Sequence, residues 1–199
     1  EALTLERTRS LLRHARSHAA HDCPFWLRPS PRFEGVQGDA GRFVLLAETH
    51  AYASYMFEGQ VPALGGGGRV FVGHGLGPRW TLAIGGELAA SGQLVTTHNS
   101  GREVTSTFTA AIPVLLRLSR FSRLFDIELA PVMRFDPGQS ALPPGGRVEL
   151  GVGLSAMRSS SLMPYAMLYL GYEHHPHTPT RDADNTVQVG TRLSVDWAP

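Results

Sequence analysis

The sequence predicts an all-β fold: an eight-stranded antiparallel up-and-down transmembrane β-barrel over residues 41–199, preceded by a short α-helix and linker over 1–40. Three observations carry the prediction. Eight segments after residue 40 alternate apolar and polar side chains. Their links alternate between long (58–68, 92–104, 136–146 and 175–185) and short (77–79, 119–122 and 159–161). The apolar wall they share carries no Asp, Glu or Arg in mid-strand, and the chain has no lysine at all. A barrel set in a membrane needs tight turns at one end, longer loops at the other and an uncharged outer band.

Composition agrees. A chain of 199 residues suits one main domain. Charged residues make up 18% of the chain, against about 25% in typical soluble domains. A net charge of +1 gives no reason to expect a nucleic-acid partner. The mean hydropathy of −0.09 is too polar for a helical bundle, but a barrel hides polar residues in its lumen. No run approaches the roughly 18 apolar residues of a transmembrane helix.

Residues 1–22 read as a helix. Thr4 can cap it, Leu5, Leu12, Ala15 and Ala19 recur near helical spacing, and Arg7, Arg9, Arg13 and Arg16 occupy the other face. Cys23-Pro24 ends the pattern, and Pro24, Pro29 and Pro31 make 23–40 an extended linker bearing Phe25, Trp26 and Phe33.

The rest has period two, which puts one apolar and one polar wall on each strand. In 43–57, Phe43, Leu45, Ala47, Ala51, Ala53, Tyr55 and Phe57 oppose Glu48, His50 and Ser54. The segment 69–76 offers Val70 and Val72, and 80–91 sets Trp80, Leu82, Ile84 and Leu88 against Thr81 and Glu87. In 106–118, Phe108, Ile112, Val114, Leu116 and Leu118 share a face, with Arg117 on the other. In 125–135, Phe125, Ile127, Leu129, Pro131, Met133 and Phe135 oppose Asp126, Glu128 and Arg134. In 147–157, Val148, Leu150, Val152 and Leu154 oppose Arg147 and Glu149. Residues 162–174 are apolar on both faces, and 186–197 sets Val187, Val189, Leu193, Val195 and Trp197 against Gln188, Arg192 and Asp196.

Charge placement separates a membrane barrel from a soluble one that faces its apolar wall inward. A lumen polar network of Glu48, His50, Glu87, Arg117, Asp126, Glu128, Arg134, Glu149, Arg192 and Asp196 is expected, interleaved with glycines. Two interfacial aromatic girdles are expected as well: Phe43, Trp80, Phe125 and Trp197 at the short-turn end, and Tyr55, Phe57, Phe108, Phe135 and Tyr172 at the other. Pro131 and Pro164 each remove a ladder donor, which predicts bulges or irregularity there.

Over about 42–197 this pattern resembles the small eight-stranded outer-membrane barrels of the OmpA, OmpX and OmpW type. Residues 190–197, Gly-Thr-Arg-Leu-Ser-Val-Asp-Trp, look like the C-terminal signal read by the barrel-insertion machinery, although Ala198 and Pro199 follow the aromatic on which the family usually ends. The resemblance implies a bacterial outer-membrane location with periplasmic termini. The partners it implies are outer-membrane lipid and, during assembly, the insertion machinery. The extension 1–40, through Cys23, Phe25 and Trp26, is a further candidate to meet an envelope protein.

Catalytic, metal and cofactor signals are weak. His50 shares a face with Glu48 and Ser54, but two and four residues along one strand are about 7 and 13 Å, too far for a relay. Glu173, His174, His175 and His177 read as an outer-loop cluster, and His14, His18 and His21 as a polar helix face. Gly65–Gly68 reads as a flexible loop, since it lacks the lysine of a phosphate-binding loop. No catalytic residue, metal or cofactor is expected. The expectation is a non-enzymatic barrel with a structural or protein-interaction role. The alternatives are a lipid-modifying barrel enzyme and a narrow carrier for a small apolar ligand.

Overall fold

The computed structural model describes residues 41–58, 60–77, 79–96, 102–120, 123–135, 143–155, 162–177 and 183–197. The helix and linker expected over 1–40, with Cys23, Phe25, Trp26 and the His14–His21 series, lie outside the described residues. The remainder forms strands β1 (Phe43–Met56), β2 (Val61–Gly75), β3 (Trp80–Thr96), β4 (Arg102–Ala111), β5 (Val114–Arg120), β6 (Arg123–Phe135), β7 (Gly145–Ser155), β8 (Leu162–His175) and β9 (Asp184–Trp197).

β4 and β5 are two halves of one strand. Both pair with β3 and with β6, and neither register shifts across the gap: Glu87 faces Ala111 and Ile84 faces Val114. The gap is Ile112–Pro113. Pro113 has no N–H to give, but its carbonyl accepts from Gly85 N–H at 2.8 Å, and Ile112 N–H donates to the Pro131 carbonyl at 3.2 Å. The fold is therefore the predicted eight-stranded ring. Each strand is antiparallel to its chain neighbours, and β1 closes on β9 from Leu45↔Trp197 to Met56↔Thr186.

The ladders also fix the tilt. From Leu45 they lead through Val72, Ile84, Val114, Leu129, Val148, Tyr172 and Val187 to Tyr55, ten residues further along β1. With strands about 4.8 Å apart and about 3.3 Å per residue, that offset tilts eight strands by about 40°. All of these residues face outward, so every other residue of each strand faces the lumen.

Three expectations need correction. Neither expected proline makes a bulge, since the β6–β7 and β8–β9 ladders run past Pro131 and Pro164 without a shift, but the expected irregularity is found beside Pro131, which stands opposite Ile112 where the β6 pairing passes from β4 to β5. Pro164 lies one residue beyond the last described β7–β8 pair, Ser155↔Tyr165. The interruption has Ile112–Pro113 on one side and Ala130–Pro131 on the other, inside the barrel wall.

The second correction concerns the first long link. The connection is 57–60 rather than 58–68, and Gly65–Gly68 lies within β2, paired with β1 and β3 on either side. A Cβ at Gly65 would stand 2.4 Å from Cζ of Tyr52, its partner across β1. Gly65 admits that ring, Gly67 admits the close approach of Leu88 and Ala89 on β3, and the run, lacking side chains, looks like a loop in sequence. The third correction is that β3 reaches Thr96 and β4 starts at Arg102, which shortens the 92–104 link. The longer connections are 136–144 and 176–183, at one end of the barrel, while 76–79, 121–122 and 156–161 lie at the other.

The outer wall is apolar. Leu64, Leu88, Leu168 and Leu193 are among many large hydrophobic side chains that are more than half exposed. Phe43, Trp80, Phe125 and Trp197 stand exposed near the short-turn end, and Tyr55, Phe57, Phe108, Phe135 and Tyr172 toward the opposite one. Among the described residues, the charged residues and histidines whose register falls on the outward face are Arg102, Arg120, Arg123, His74 and His174, and all of them stand at or next to strand ends.

Candidate functional site

The lumen is filled in three tiers. Nearest the short turns, Val44, Leu46, Phe71, Ala83, Leu115, Leu124, Tyr165 and Met167 form a buried apolar cluster. One ion pair is set into it. Arg117 on β5 donates from Nε and Nη2 to the two oxygens of Asp126 on β6, at 2.8 and 2.7 Å. Its guanidinium lies 4.2 Å from the ring centroid of Tyr165, whose hydroxyl donates to Glu48 on β1 at 2.5 Å. Cation–π contact and charge-assisted hydrogen bonds both strengthen where water is excluded.

The middle tier is a lattice of Arg69, Arg147 and Arg192 with Glu87, Glu128 and Glu149. Arg69 on β2 reaches Glu87 at 2.9 Å, Glu128 at 2.7 Å and Glu149 at 3.1 Å. Arg147 on β7 bridges Glu87 and Glu149, the latter at 2.9 Å. Arg192 on β9 holds Glu149 and lies 3.4 Å from Glu128. Three cations meet three carboxylates, which is how buried charges become tolerable.

At the long-loop end, Arg134 on β6 holds Glu173 and Asp184, each at 2.6 Å. His175 sets Nε2 against Glu173 at 2.9 Å and Nδ1 against the Pro143 carbonyl at 2.9 Å. Beside this tier is a cavity of about 20 Å³, lined mainly by polar groups including Tyr52, Ser54, Gln93, Thr109, Arg134 and Gln188. That is room for about one water molecule.

All ten residues of the expected polar network point inward and are buried. The structure separates them by tier: Glu48, Arg117 and Asp126 low, Glu87, Glu128, Glu149 and Arg192 central, and Arg134 high. Asp196 is buried near the short-turn end of β9. Arg69, Arg147, Glu173 and Asp184 complete the tiers and were not in the expected set. Arg69 was masked by the glycine run, although its alternation with Phe71 is a readable signal.

His50 is not brought together with Glu48 and Ser54 in a relay. Its ring stacks on Tyr52 at 5.8 Å and its Nε2 is 3.8 Å from Glu87, and neither ring nitrogen has a hydrogen-bond partner among the described residues. Glu48 is taken up by Tyr165, and Ser54 lines the cavity instead of approaching His50. The Glu173–His177 cluster is not a loop: Glu173, His174 and His175 belong to β8. Strand alternation sends Glu173 and His175 into the lumen and His174 outward to Asn185, so the three do not converge on one ion. Among the described residues no group of three His, Cys, Asp or Glu is placed to hold a metal.

A closed antiparallel ring with an apolar outside and a charge-filled inside is the architecture of a membrane-spanning β-barrel. Comparison with known proteins agrees at the level of fold. No protein-family model and no curated protein matches the sequence. Among solved structures, Neisserial surface protein A is similar with a TM-score of 0.55 at 12% identity, over 78% of this chain and 96% of that one. The outer membrane protein OprG from Pseudomonas aeruginosa gives 0.49 at 8% identity, over 82% of this chain and 99% of that one. The chain thus has the fold of an eight-stranded outer-membrane β-barrel.

Proposed function

We propose that the chain is a non-enzymatic barrel of the bacterial outer membrane with a structural or protein-interaction role. In this reading the short turns and both termini face the periplasm, and residues 1–40 dock a periplasmic or membrane partner. The observation that carries it is the filled cross-section: an apolar cluster, an Arg–Glu lattice and a third charged tier follow one another along the lumen. A small barrel packed in this way offers no aqueous channel. The polar cavity of about 20 Å³ is too small to hold an apolar cargo inside the upper lumen, and the larger depression of about 420 Å³ beside Ala47, Pro164, Leu193 and Val195 opens on the outer wall. The placement of the longer connections 136–144 and 176–183 at one end supports the orientation.

The test is twofold. Reconstituted barrel should give no step conductance in planar bilayers, and Glu48→Gln, His50→Ala and Ser54→Ala should each leave lipid A unchanged in mass. A modified lipid A lost in any of the three would replace this reading with the enzymatic one. Deleting 1–40 should release a co-purifying envelope protein, and its retention would remove the docking role.

A further inference from the structure

Among the described residues, the short-turn end carries a corner of exposed cations with no exposed acid beside it. Arg79 ends the 76–79 connection, and its carbonyl accepts from Ser119 N–H at 2.8 Å, which ties that connection to the neighbouring β5–β6 turn. In that turn Arg120 and Arg123 pair directly across the ladder. The Arg79 and Arg123 side chains are exposed, and among the described residues neither makes an ion pair. The carboxylates at this end, Glu48, Asp126 and Asp196, are buried in the lumen, and Asp126 is already held by Arg117. Two exposed guanidiniums with no ion-pair partner among the described residues leave this corner open to an anion.

The wall beside these arginines says which kind of anion. Trp80 pairs with Leu118, and Leu118 with Phe125, forming one outward row just beyond the charged turns. Trp80 and Phe125 are exposed. A free phosphate would meet the guanidiniums and leave this row in place beside it, whereas a lipid would use both.

We propose that this corner is a binding site for an anionic phospholipid of the leaflet that meets the short turns. Its phosphate lies against Arg79 and Arg123, and its acyl chains lie along Trp80, Leu118 and Phe125. The site rests on the membrane-barrel reading above. Each arginine near an anionic headgroup favours it several-fold, and added salt screens the attraction.

The test uses the full chain in phosphatidylcholine vesicles, with Trp26→Phe and Trp197→Phe leaving Trp80 as the fluorescent reporter. Dibrominated phosphatidylglycerol should quench Trp80 more strongly than the same fraction of dibrominated phosphatidylcholine. The preference should fall about tenfold or more in Arg79→Gln/Arg123→Gln. Equal quenching by the two lipids overturns the site, and so does an unchanged preference in the double variant. Displacement of phosphatidylglycerol by inorganic phosphate, beyond the effect of chloride at equal ionic strength, would assign the corner to a free anion and overturn it too. If no brominated lipid quenches Trp80, the membrane reading falls along with the site.

Discussion

Arg117 and Asp126 face each other across the β5–β6 ladder and share a fork of two parallel hydrogen bonds, 2.8 and 2.7 Å, within the apolar lower lumen. Desolvating two ions offsets much of their attraction, so the weight of such a pair shows when one partner is removed. Arg117→Met leaves Asp126 without its fork and Glu48 without its nearby cation, and should cost about 3–5 kcal/mol. Arg117→Met/Asp126→Leu should recover most of that loss. Urea unfolding from lipid vesicles, followed by tryptophan fluorescence, measures both. A double variant as unstable as the single one would refute the assignment.

Tyr52 and Gly65 make a steric prediction. A Cβ at Gly65 would meet Cζ of Tyr52 at 2.4 Å and the Ala90 carbonyl at 2.8 Å. Gly65→Ala should destabilise by about 1–3 kcal/mol through overpacking. Tyr52→Ala in the same chain should relieve the ring contact but not the backbone one, giving partial rescue in the same unfolding assay. Full rescue would mean that only the ring requires the glycine.

The outer band predicts a depth profile. Leu129 lies on the outward path that circles the barrel, and its pair Val114 is also exposed. Leu129→Arg should cost about 2–4 kcal/mol, against about 0–1 kcal/mol for Phe135→Arg at the end of β6. Equal costs in vesicles would contradict the placement of the hydrocarbon band.

Glu58 supplies a pH prediction at the rim. The Asn185 backbone N–H donates to it at 2.8 Å, and this is the main cause holding the Glu58 carboxyl below its ordinary value of 4.5. A group depressed by folding contributes stability that is fully present above its unfolded pKa and is lost as pH falls through the lower folded value. The tie between the 57–60 turn and β9 should therefore persist at neutral pH and open only below about pH 4.5. The Asn185 amide NMR shift should titrate in that acidic window and stop doing so in Glu58→Gln. A midpoint near neutrality would point to another group.

Much of this architecture is readable in the sequence because a strand's two faces report separately. The alternation of Phe125, Ile127 and Leu129 with Asp126 and Glu128 assigns wall and lumen before any coordinates. What alternation does not encode is partnership. Arg69 meets Glu128 and Glu149 because the ring closes, and nothing local to residue 69 selects them. The glycine run reads as a loop for a related reason: a strand without side chains has no face to alternate, and the groups that require its glycines, the Tyr52 ring at Gly65 and Leu88 with Ala89 at Gly67, sit on other strands. Glu173 and His175 read as loop residues because prolines at 176 and 179 follow closely, although the β8 ladder with β9 extends through His175↔Asp184.

The central lattice also bears on how the barrel is made. Arg69 on β2 is answered from β6 and β7, and Arg192 on β9 from the same two strands. In an open sheet, before β1 reaches β9, β2 lies far from β6 and β7, so Arg69 keeps Glu87 beside it on β3 but loses Glu128 and Glu149. That share of the lattice forms only when the ring closes. Closure of the seam therefore adds charge pairs that a partly zipped sheet lacks, much as the last stave tightens a cask.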